Sequence, residues 1–279
     1  MGSVEKWIKM PVIGPVLLLG YRYRTASGYI KQQRQRFRDW LWKSNETTNY
    51  TFNLEGWNER YLAAFLSEAT NRPYEEIEGY LDEIRNDVAL RSHIESKTAA
   101  SDYVMMADPE VRLGKRIGWY ALVRALKPQL VVETGVDKGL GTVVLAAALL
   151  KNRQDGFPGK VYGTDINPKA GYLLDGPYAE VGQVLYGDSI ESLRGLTEPV
   201  DLFINDSDHS ADYERREYEV IAEKLSPGAY ILGDNAHATE ELFRFCRATG
   251  RAFVFFREQP KNHWYPGGAI SLGFFNKTS

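Results

Sequence analysis

Short apolar runs alternate with longer helical patterns through the second half of the chain. This alternation predicts an α/β fold in which crossover helices connect the strands of a mostly parallel sheet. The predicted strands begin with the segment at Val131 and continue through Val161–Asp165, Val184–Asp188, Leu202–Asp206 and Tyr230–Asp234. Two further apolar runs, Ala252–Glu258 and Ala269–Phe275, are joined by the loop QPKNHWYPGG and predict an antiparallel hairpin that closes the sheet.

The first hundred residues have helical rather than strand spacing. The pattern is helical from about Asn53 to Asp87, and Pro73 marks the start of a second helix within it. Asp108–Lys127 has one apolar face and predicts a helix that leads into the first strand. We therefore expect a helical N-terminal extension over residues 1–100, which covers a substrate pocket or builds a homodimer, and an α/β domain over residues 101–279.

The stretch VVETGVDKGLGTVVLAAALL, residues 131–150, predicts a strand, a glycine turn and a buried helix. Its glycines at 135, 139 and 141 do not have the G-x-G-x-x-G spacing of dinucleotide-binding turns. Glu133, two residues before the first glycine, suits a ligand with a cationic amine rather than a phosphate. The alternative is a glycine-rich turn that only packs tightly.

Acidic residues end all five predicted strands of the parallel part of the sheet. They are Glu133, Asp165, Asp188, Asp206 and Asp234. Ligands of open α/β sheets bind beyond the carboxyl ends of the strands, so we expect these acids to converge on one crevice.

Hard oxygen ligands follow two neighbouring strands. Asp206, Asp208 and His209 occur in DLFINDSDHSADY, and Asp234 and Asn235 occur in LSPGAYILGDNAH. Carboxylate and amide oxygens without thiolates suit Mg²⁺ or Ca²⁺ better than zinc.

These motifs resemble those of a known enzyme family. The pattern E-x-G-x-x-x-G-x-G resembles the first motif of class I S-adenosylmethionine-dependent methyltransferases. The D-x-D and D-N segments resemble the metal-dependent small-molecule O-methyltransferases of the catechol and caffeoyl-CoA type and of the macrolide-sugar type. The resemblance covers about residues 110–275 and implies a Rossmann-like fold with S-adenosylmethionine as cofactor.

The resemblance also implies roles for individual residues. Asp206, Asp234 and Asn235 are the expected ligands of Mg²⁺ or another divalent cation. His209, with Asp206 as the second catalytic residue, stands where the catechol type has a lysine general base, and histidine can take that role. The expected cofactor contacts are Glu133, Thr134, Gly135, Gly139, Gly141, Thr142, Asp165, Ile166, Asp188, Ser189, Asp206 and Asp208. Asp165 and Asp188 have an alternative role as caps of the following helices.

Candidate substrate contacts follow the second pair of metal ligands. His237 lies two residues beyond Asn235, and the hairpin loop contains His263, Trp264 and Tyr265. The two aromatic residues suggest a flat or sugar-like acceptor, because aromatic faces stack on both. Each histidine could equally be an ordinary surface residue.

Charge and cysteine content narrow the class of protein. The net charge of −3 argues against a nucleic-acid binder. The single cysteine, Cys246, excludes an intramolecular disulfide and a cysteine-based zinc site, so we expect a reducing, cytoplasmic location.

The N-terminal segment over residues 1–43 differs from the rest of the chain. It contains nine Lys and Arg against two acids, interleaved with aromatic residues, after the short apolar run Pro11–Leu19. That run is too short to span a bilayer. The segment is either an ordinary solvated helix, a membrane-surface or oligomer contact, or an export signal.

Together these observations predict an O-methyltransferase acting on a hydroxyl of a small phenolic or sugar-like molecule. A divalent cation would lower the pKa of the hydroxyl, and His209 would take its proton. One alternative is a metal-independent N- or protein methyltransferase. The other is a non-catalytic S-adenosylmethionine-binding module that its basic segment tethers to a membrane or partner.

Overall fold

The computed structural model describes residues 10–11, 13–47 and 50–276. The chain divides into two compact units. The smaller one contains the described residues up to Asn45 together with Asn262–Tyr265, and the larger one contains Glu46–Lys261 and the described residues from Pro266 onward.

A single long helix dominates the smaller unit. Helix α1, Ile13–Lys43, contains 31 residues. Trp264 packs on it, with ring centroids 6.0 Å from Phe37 and 5.2 Å from Trp40. None of the helices in the described residues is both long and apolar enough to span a bilayer. Part of the predicted basic segment, residues 1–9 and 12, lies outside the described residues.

Helices precede the sheet in the larger unit, as predicted. They are α2 (Gly56–Thr70), α3 (Tyr74–Arg85), α4 (Val88–Ala100) and α5 (Arg116–Leu126), with a short 3₁₀ helix at Val104–Met106. The predicted start of the last helix, at Asp108, was wrong. Pro109 disfavours a helical conformation at the residue before it, and Gly114 has φ +51°, so the helix begins only at Arg116. The predicted division at residue 100 stays a prediction.

The sheet confirms the predicted fold class. Its strands are β1 (Leu130–Thr134), β2 (Lys160–Asp165), β3 (Gly182–Tyr186), β4 (Val200–Asn205), β5 (Leu225–Gly233), β6 (Ala252–Arg257) and β7 (Ala269–Phe274). They are ordered β3-β2-β1-β4-β5-β7-β6; β1 to β5 run parallel, and β7 is antiparallel to β5 and β6. The connecting elements are α6 (Leu140–Gln154), a 3₁₀ helix at Gly176–Glu180, α7 (Ser189–Arg194), α8 (Ala211–Ala222) and α9 (Glu241–Thr249).

The strand order places a crevice beside β1. Strand β1 is buried at every position and pairs with β2 on one side and β4 on the other, so the connections leave in opposite directions at this point. The predicted end of β3 at Asp188 was wrong, because the strand ends at Tyr186 and Asp188 is the N-cap of α7. Cys246 is fully buried in the core.

Candidate active site

The glycine turn between β1 and α6 lets chain segments approach closely. Gly135 has φ +83°, and a Cβ at this position would lie 2.0 Å from the carbonyl oxygen of Asp206. Only glycine therefore allows the ends of β1 and β4 to meet here. Gly139, with φ +95°, is the N-cap of α6. Asp165 closes the turn, because its Oδ2 accepts hydrogen bonds from the backbone N–H groups of the two residues after Gly135, at 3.1 and 2.8 Å.

Glu133 lies beneath this turn and is 1% exposed. Its Oε2 accepts a hydrogen bond of 2.5 Å from the hydroxyl of Thr142, and a Cβ on Gly141 would lie 2.0 Å from its Oε1. The neighbouring Thr134 is fully buried, and its carbonyl oxygen accepts the backbone N–H of Asp206 at 2.9 Å. Burial raises the pKa of the Glu133 carboxyl to about 8. The contact between Glu133 and a cofactor amine stays a prediction.

The raised pKa of Glu133 has an expected effect on stability. The unfolded carboxyl loses its proton near pH 4.5, whereas the folded one keeps it up to about pH 8. Stability therefore falls as pH rises between these values, by at most about 1.4 kcal/mol per pH unit. We expect Glu133→Gln to remove this slope in urea unfolding measured from about pH 5 to pH 8. Parallel curves for the two proteins would contradict the assignment.

Four of the predicted cofactor contacts, Asp165, Ile166, Asp188 and Ser189, lie at or just beyond the ends of β2 and β3. Asp165 Oδ1 accepts the N–H of the residue two positions later at 2.8 Å, and Ile166 is 81% exposed although it is large and apolar. Asp188 Oδ1 accepts the N–H of the residue two positions later at 2.8 Å, which is the capping role named as its alternative. The hydroxyl of Ser189 donates to the buried Glu217. The roles of these residues toward a cofactor stay predictions.

The ends of β4 and β5 bring two predicted metal ligands, Asp206 and Asp234, together with the predicted general base, His209. Asp206, His209 and Asp234 each offer a ligand atom, and these three atoms lie within 4.8 Å of one another. His209 Nε2 is 3.6 Å from Asp206 Oδ1 and 2.9 Å from Asn235 Nδ2. On the other side of the ring, Nδ1 is 3.7 Å from Glu214 Oε1. Asp208 is exposed and accepts a hydrogen bond from Ser210.

Sequence reasoning missed three charged residues at this cluster. Lys115 Nζ lies 2.7 Å from Asp234 Oδ2 and 3.3 Å from Glu258 Oε1. The side chains of Lys115, Asp234 and Glu258 are largely buried, at 10%, 2% and 1% exposed. The next residue, Arg116, places Nη2 3.7 Å from Asp206 Oδ2. The start of α5 thus supplies one cation to each of the two predicted metal-binding carboxylates.

Comparison with known proteins identifies the family of this domain. Residues 132–236 match the family model for a methyltransferase domain. The chain carries a methyltransferase domain. No curated protein matches the sequence at a significant level.

Solved structures have the same fold as this methyltransferase. The O-methyltransferase from Bacillus cereus, in complex with S-adenosylhomocysteine, is 16% identical, with a TM-score of 0.50 over 72% of this chain and 100% of that one. TomG from Streptomyces achromogenes, an O-methyltransferase of tomaymycin synthesis in complex with S-adenosylmethionine, is 15% identical, with a TM-score of 0.51 over 66% and 90%. A methyltransferase from Geobacter sulfurreducens is 20% identical, with a TM-score of 0.50 over 73% and 96%. The resemblance to class I S-adenosylmethionine-dependent methyltransferases is confirmed.

The buried charges of the methyltransferase domain shift one another's pKa values. Burial and the charge of Asp234 raise the pKa of Asp206 to about 7. Burial alone would raise the pKa of Asp234 too, but Lys115 and Arg116 outweigh it and lower this pKa. Although burial opposes protonation of His209, Asp206 and its other acidic neighbours raise its pKa to about 10.

The cluster has the chemistry of a divalent cation site. Asp206 and Asp234 bring carboxylate oxygens close to one another, and His209 lies beside them. Asp234 Oδ1 is buried and receives no hydrogen bond from a donor group among the described residues, although Oδ2 is held by Lys115. Asn235 has its Oδ1 3.4 Å from Lys115 Nζ. The two carboxylates therefore fit a cation such as Mg²⁺, which would compete with Lys115 for Asn235.

The candidate substrate residues fall in both units. His237 follows β5, and its Cε1 would lie 3.2 Å from a Cβ on Gly268, which would also be 2.8 Å from Asn235 Oδ1 and 3.1 Å from Glu258 Oε1. Gly268 thus leaves room where these three side chains meet. His263, Trp264 and Tyr265 lie in the hairpin loop and belong to the unit of α1. Their contact with a substrate stays a prediction.

Proposed function

We propose that this chain is an S-adenosylmethionine-dependent O-methyltransferase that acts on a hydroxyl of a small phenolic or sugar-like molecule. The observation that carries the proposal is the meeting of Asp206, His209 and Asp234 beside the glycine turn. The matched structures of O-methyltransferases support the reaction class through their fold.

Different residues of the chain would bind the cofactor and position the acceptor. The glycine turn and Asp165 would hold the cofactor, and Ile166 would cover its adenosine part. Methyl transfer is an in-line displacement, so the acceptor oxygen must be held on the axis of the sulfur–methyl bond. Asn235 and His237 pack against Gly268 beside this cluster and would help to orient the acceptor.

The acceptor also has to lose a proton. Asp206, Asp234 and Asn235 would hold a divalent cation, which supplies positive charge that lowers the pKa of an acceptor hydroxyl and of His209. His209 faces the space between Asp206 and Asn235 with Nε2, so this nitrogen would take the proton. Glu214 faces the opposite nitrogen and would orient the ring.

A metal-independent methyl transfer is the second candidate, and one observation favours it. The ammonium group of Lys115 supplies a positive charge at this site, 2.7 Å from Asp234 and 3.3 Å from Glu258. In that case activity would be insensitive to a chelator. A non-catalytic binding module would bind the cofactor but leave the methyl group on it.

Thermal unfolding with candidate ligands tests the proposal. A ligand at about a hundred times its dissociation constant adds roughly 2.7 kcal/mol, which raises the midpoint by about 5–10 °C for a domain of this size. We expect this shift with S-adenosylmethionine and S-adenosylhomocysteine but not with NAD, and a further shift with Mg²⁺ that EDTA abolishes.

Asp165→Ala is the matched variant for this experiment. It should reduce the shift with S-adenosylhomocysteine and leave the Mg²⁺ shift in place, because Asp165 is not part of the Asp206 cluster. A shift with NAD alone, or none with either adenosyl ligand at saturating concentration, would contradict the proposal.

A further inference from the structure

Helix α1 begins with an apolar tip that exposes most of its large side chains, although Gly14 within it is buried. Ile13, Val16, Leu17 and Leu19 are 39%, 67%, 44% and 66% exposed. At about 100° per residue, these four side chains spread over an arc of about 160° around the helix axis, and the buried Gly14 lies on the opposite side. An exposed arc of this width that carries only apolar side chains is not the solvent-facing side of an ordinary amphipathic helix.

The residues that follow the tip have the composition of a membrane interface. Tyr21 and Tyr23 are 70% and 75% exposed, and they alternate with the exposed Arg22 and Arg24. Within the described residues neither arginine makes an ion pair. Tyrosine is enriched where hydrocarbon gives way to headgroups, and basic residues next to an apolar segment bind anionic lipid.

The dimensions of the tip suit insertion into one leaflet. Residues 13–19 rise about 10 Å along the helix, which is close to the depth that surface-bound helices reach below the headgroups. Tyr21 to Arg24 would then lie at the level of the phosphates. The remainder of α1, residues 25–43, is basic, with Asp39 as its single acid among five Lys and Arg.

We propose that the tip of α1, Ile13–Leu19, with Tyr21 to Arg24 behind it, docks the protein on an anionic phospholipid bilayer. This inference is independent of the proposed methyl transfer. Its basis is the order of exposed apolar, aromatic and basic residues along α1.

The alternative binding partner for this helix is a second copy of the chain. Val16, Leu19, Tyr23 and Ile30 have the three-and-four spacing of a helix-pairing stripe. Pairing through that stripe would leave Leu17 exposed, and it would bring together two helices of the same positive charge. Insertion of the tip covers Leu17 as well and places the basic residues against negative charge, so the bilayer is favoured.

Flotation of the full chain with lipid vesicles tests the proposal. We expect binding to vesicles of phosphatidylcholine with phosphatidylglycerol, weaker binding to phosphatidylcholine alone, and a decrease with added salt. Leu17→Asp should weaken vesicle binding at least about tenfold, because it places a charge in the inserted tip. Ile30→Asp is the matched control, with the same exposed substitution on the pairing stripe, and should retain binding.

A second pair of variants tests the basic residues. Arg22→Glu with Arg24→Glu should abolish the preference for anionic vesicles, whereas Lys31→Glu with Arg34→Glu, the same charge change farther from the tip, should retain most of it. Absence of vesicle binding by the wild-type chain, or equal losses in both charge variants, would overturn the proposal. If sedimentation shows a dimer that Ile30→Asp abolishes, and Leu17→Asp leaves vesicle binding unchanged, α1 binds a second copy of the chain instead of a bilayer.

Discussion

Asp206→Ala is expected to abolish divalent-cation binding while leaving the affinity for S-adenosylhomocysteine close to that of the wild-type protein. The carboxylate of Asp206 is one of two in the cluster. A divalent cation held by the remaining carboxylate alone would have too few oxygen ligands and too little negative charge around it. The backbone contacts of residue 206 with Thr134 and Gly135 are unchanged by alanine. The glycine turn should therefore keep its shape.

The substitution is also expected to cost little stability. The pKa of Asp206 is about 7, so the carboxyl is only partly ionised at neutral pH and Arg116 loses only part of a counter-charge. Asp212→Ala is a matched control, because Asp212 is an exposed acid of α8 that pairs with Arg215.

Two titrations measure the outcome. Mn²⁺, followed by electron paramagnetic resonance with S-adenosylhomocysteine present, should bind the wild-type protein and the Asp212 variant but lose more than about a hundredfold in affinity for the Asp206 variant. Calorimetry with S-adenosylhomocysteine should give similar affinities for all three. Undiminished Mn²⁺ binding by Asp206→Ala would remove Asp206 from the metal site, and no binding by the wild-type protein would favour the metal-independent reaction.

The sequence predicts the sheet well because its signals are local. Each parallel strand is a short apolar run, and the glycines at 135, 139 and 141 can occupy a turn that no larger residue fits. The meeting of Asp206 and Asp234 follows from the same topology, because parallel strands end at one edge of the sheet.

Glu258 was not predicted as a residue of the site, although the order of the strands contains a signal for it. The sequence predicts an antiparallel last strand pair, whereas the rule that acids at strand ends converge holds for parallel strands, so it predicts nothing beyond Asp234. Strand β6 is antiparallel to β7, which is itself antiparallel to β5, so β6 runs in the direction of β5. Its end therefore brings Glu258 to the same edge as Asp234.

Lys115 and Arg116 could not be assigned because their partners lie far along the chain. Both fall inside the helix predicted from Asp108, where adjacent basic residues usually face solvent. Their burial depends on where α5 begins, which Gly114 determines through its left-handed backbone. The packing of Trp264 on Phe37 is equally remote, joining the hairpin loop to the first helix through contacts that have no local pattern.

Among the variants proposed for this protein, Lys115→Met is expected to lose the most stability. It leaves Asp234 and Glu258 buried without their shared cation, and removing one partner of a buried ion pair costs about 3–5 kcal/mol. For a domain of this size, the thermal midpoint should fall by roughly 6–20 °C. Lys160→Met is the matched control. Lys160 contacts Glu198 at the same 2.7 Å but both side chains are exposed, so its loss should cost less than about 1 kcal/mol.

The same variant separates the two proposed reactions. If Asp206 and Asp234 form a divalent cation site, removal of the competing ammonium group should raise the affinity for Mg²⁺, and Mg²⁺ should restore more stability to Lys115→Met than to the wild-type protein. Asp234→Asn added to Lys115→Met should recover stability without metal and lose the Mg²⁺ effect. If Mg²⁺ leaves the thermal midpoint of Lys115→Met unchanged, the cation of this site in the wild-type protein is Lys115 itself. Methyl transfer by the wild-type protein should then proceed equally well in the presence of EDTA.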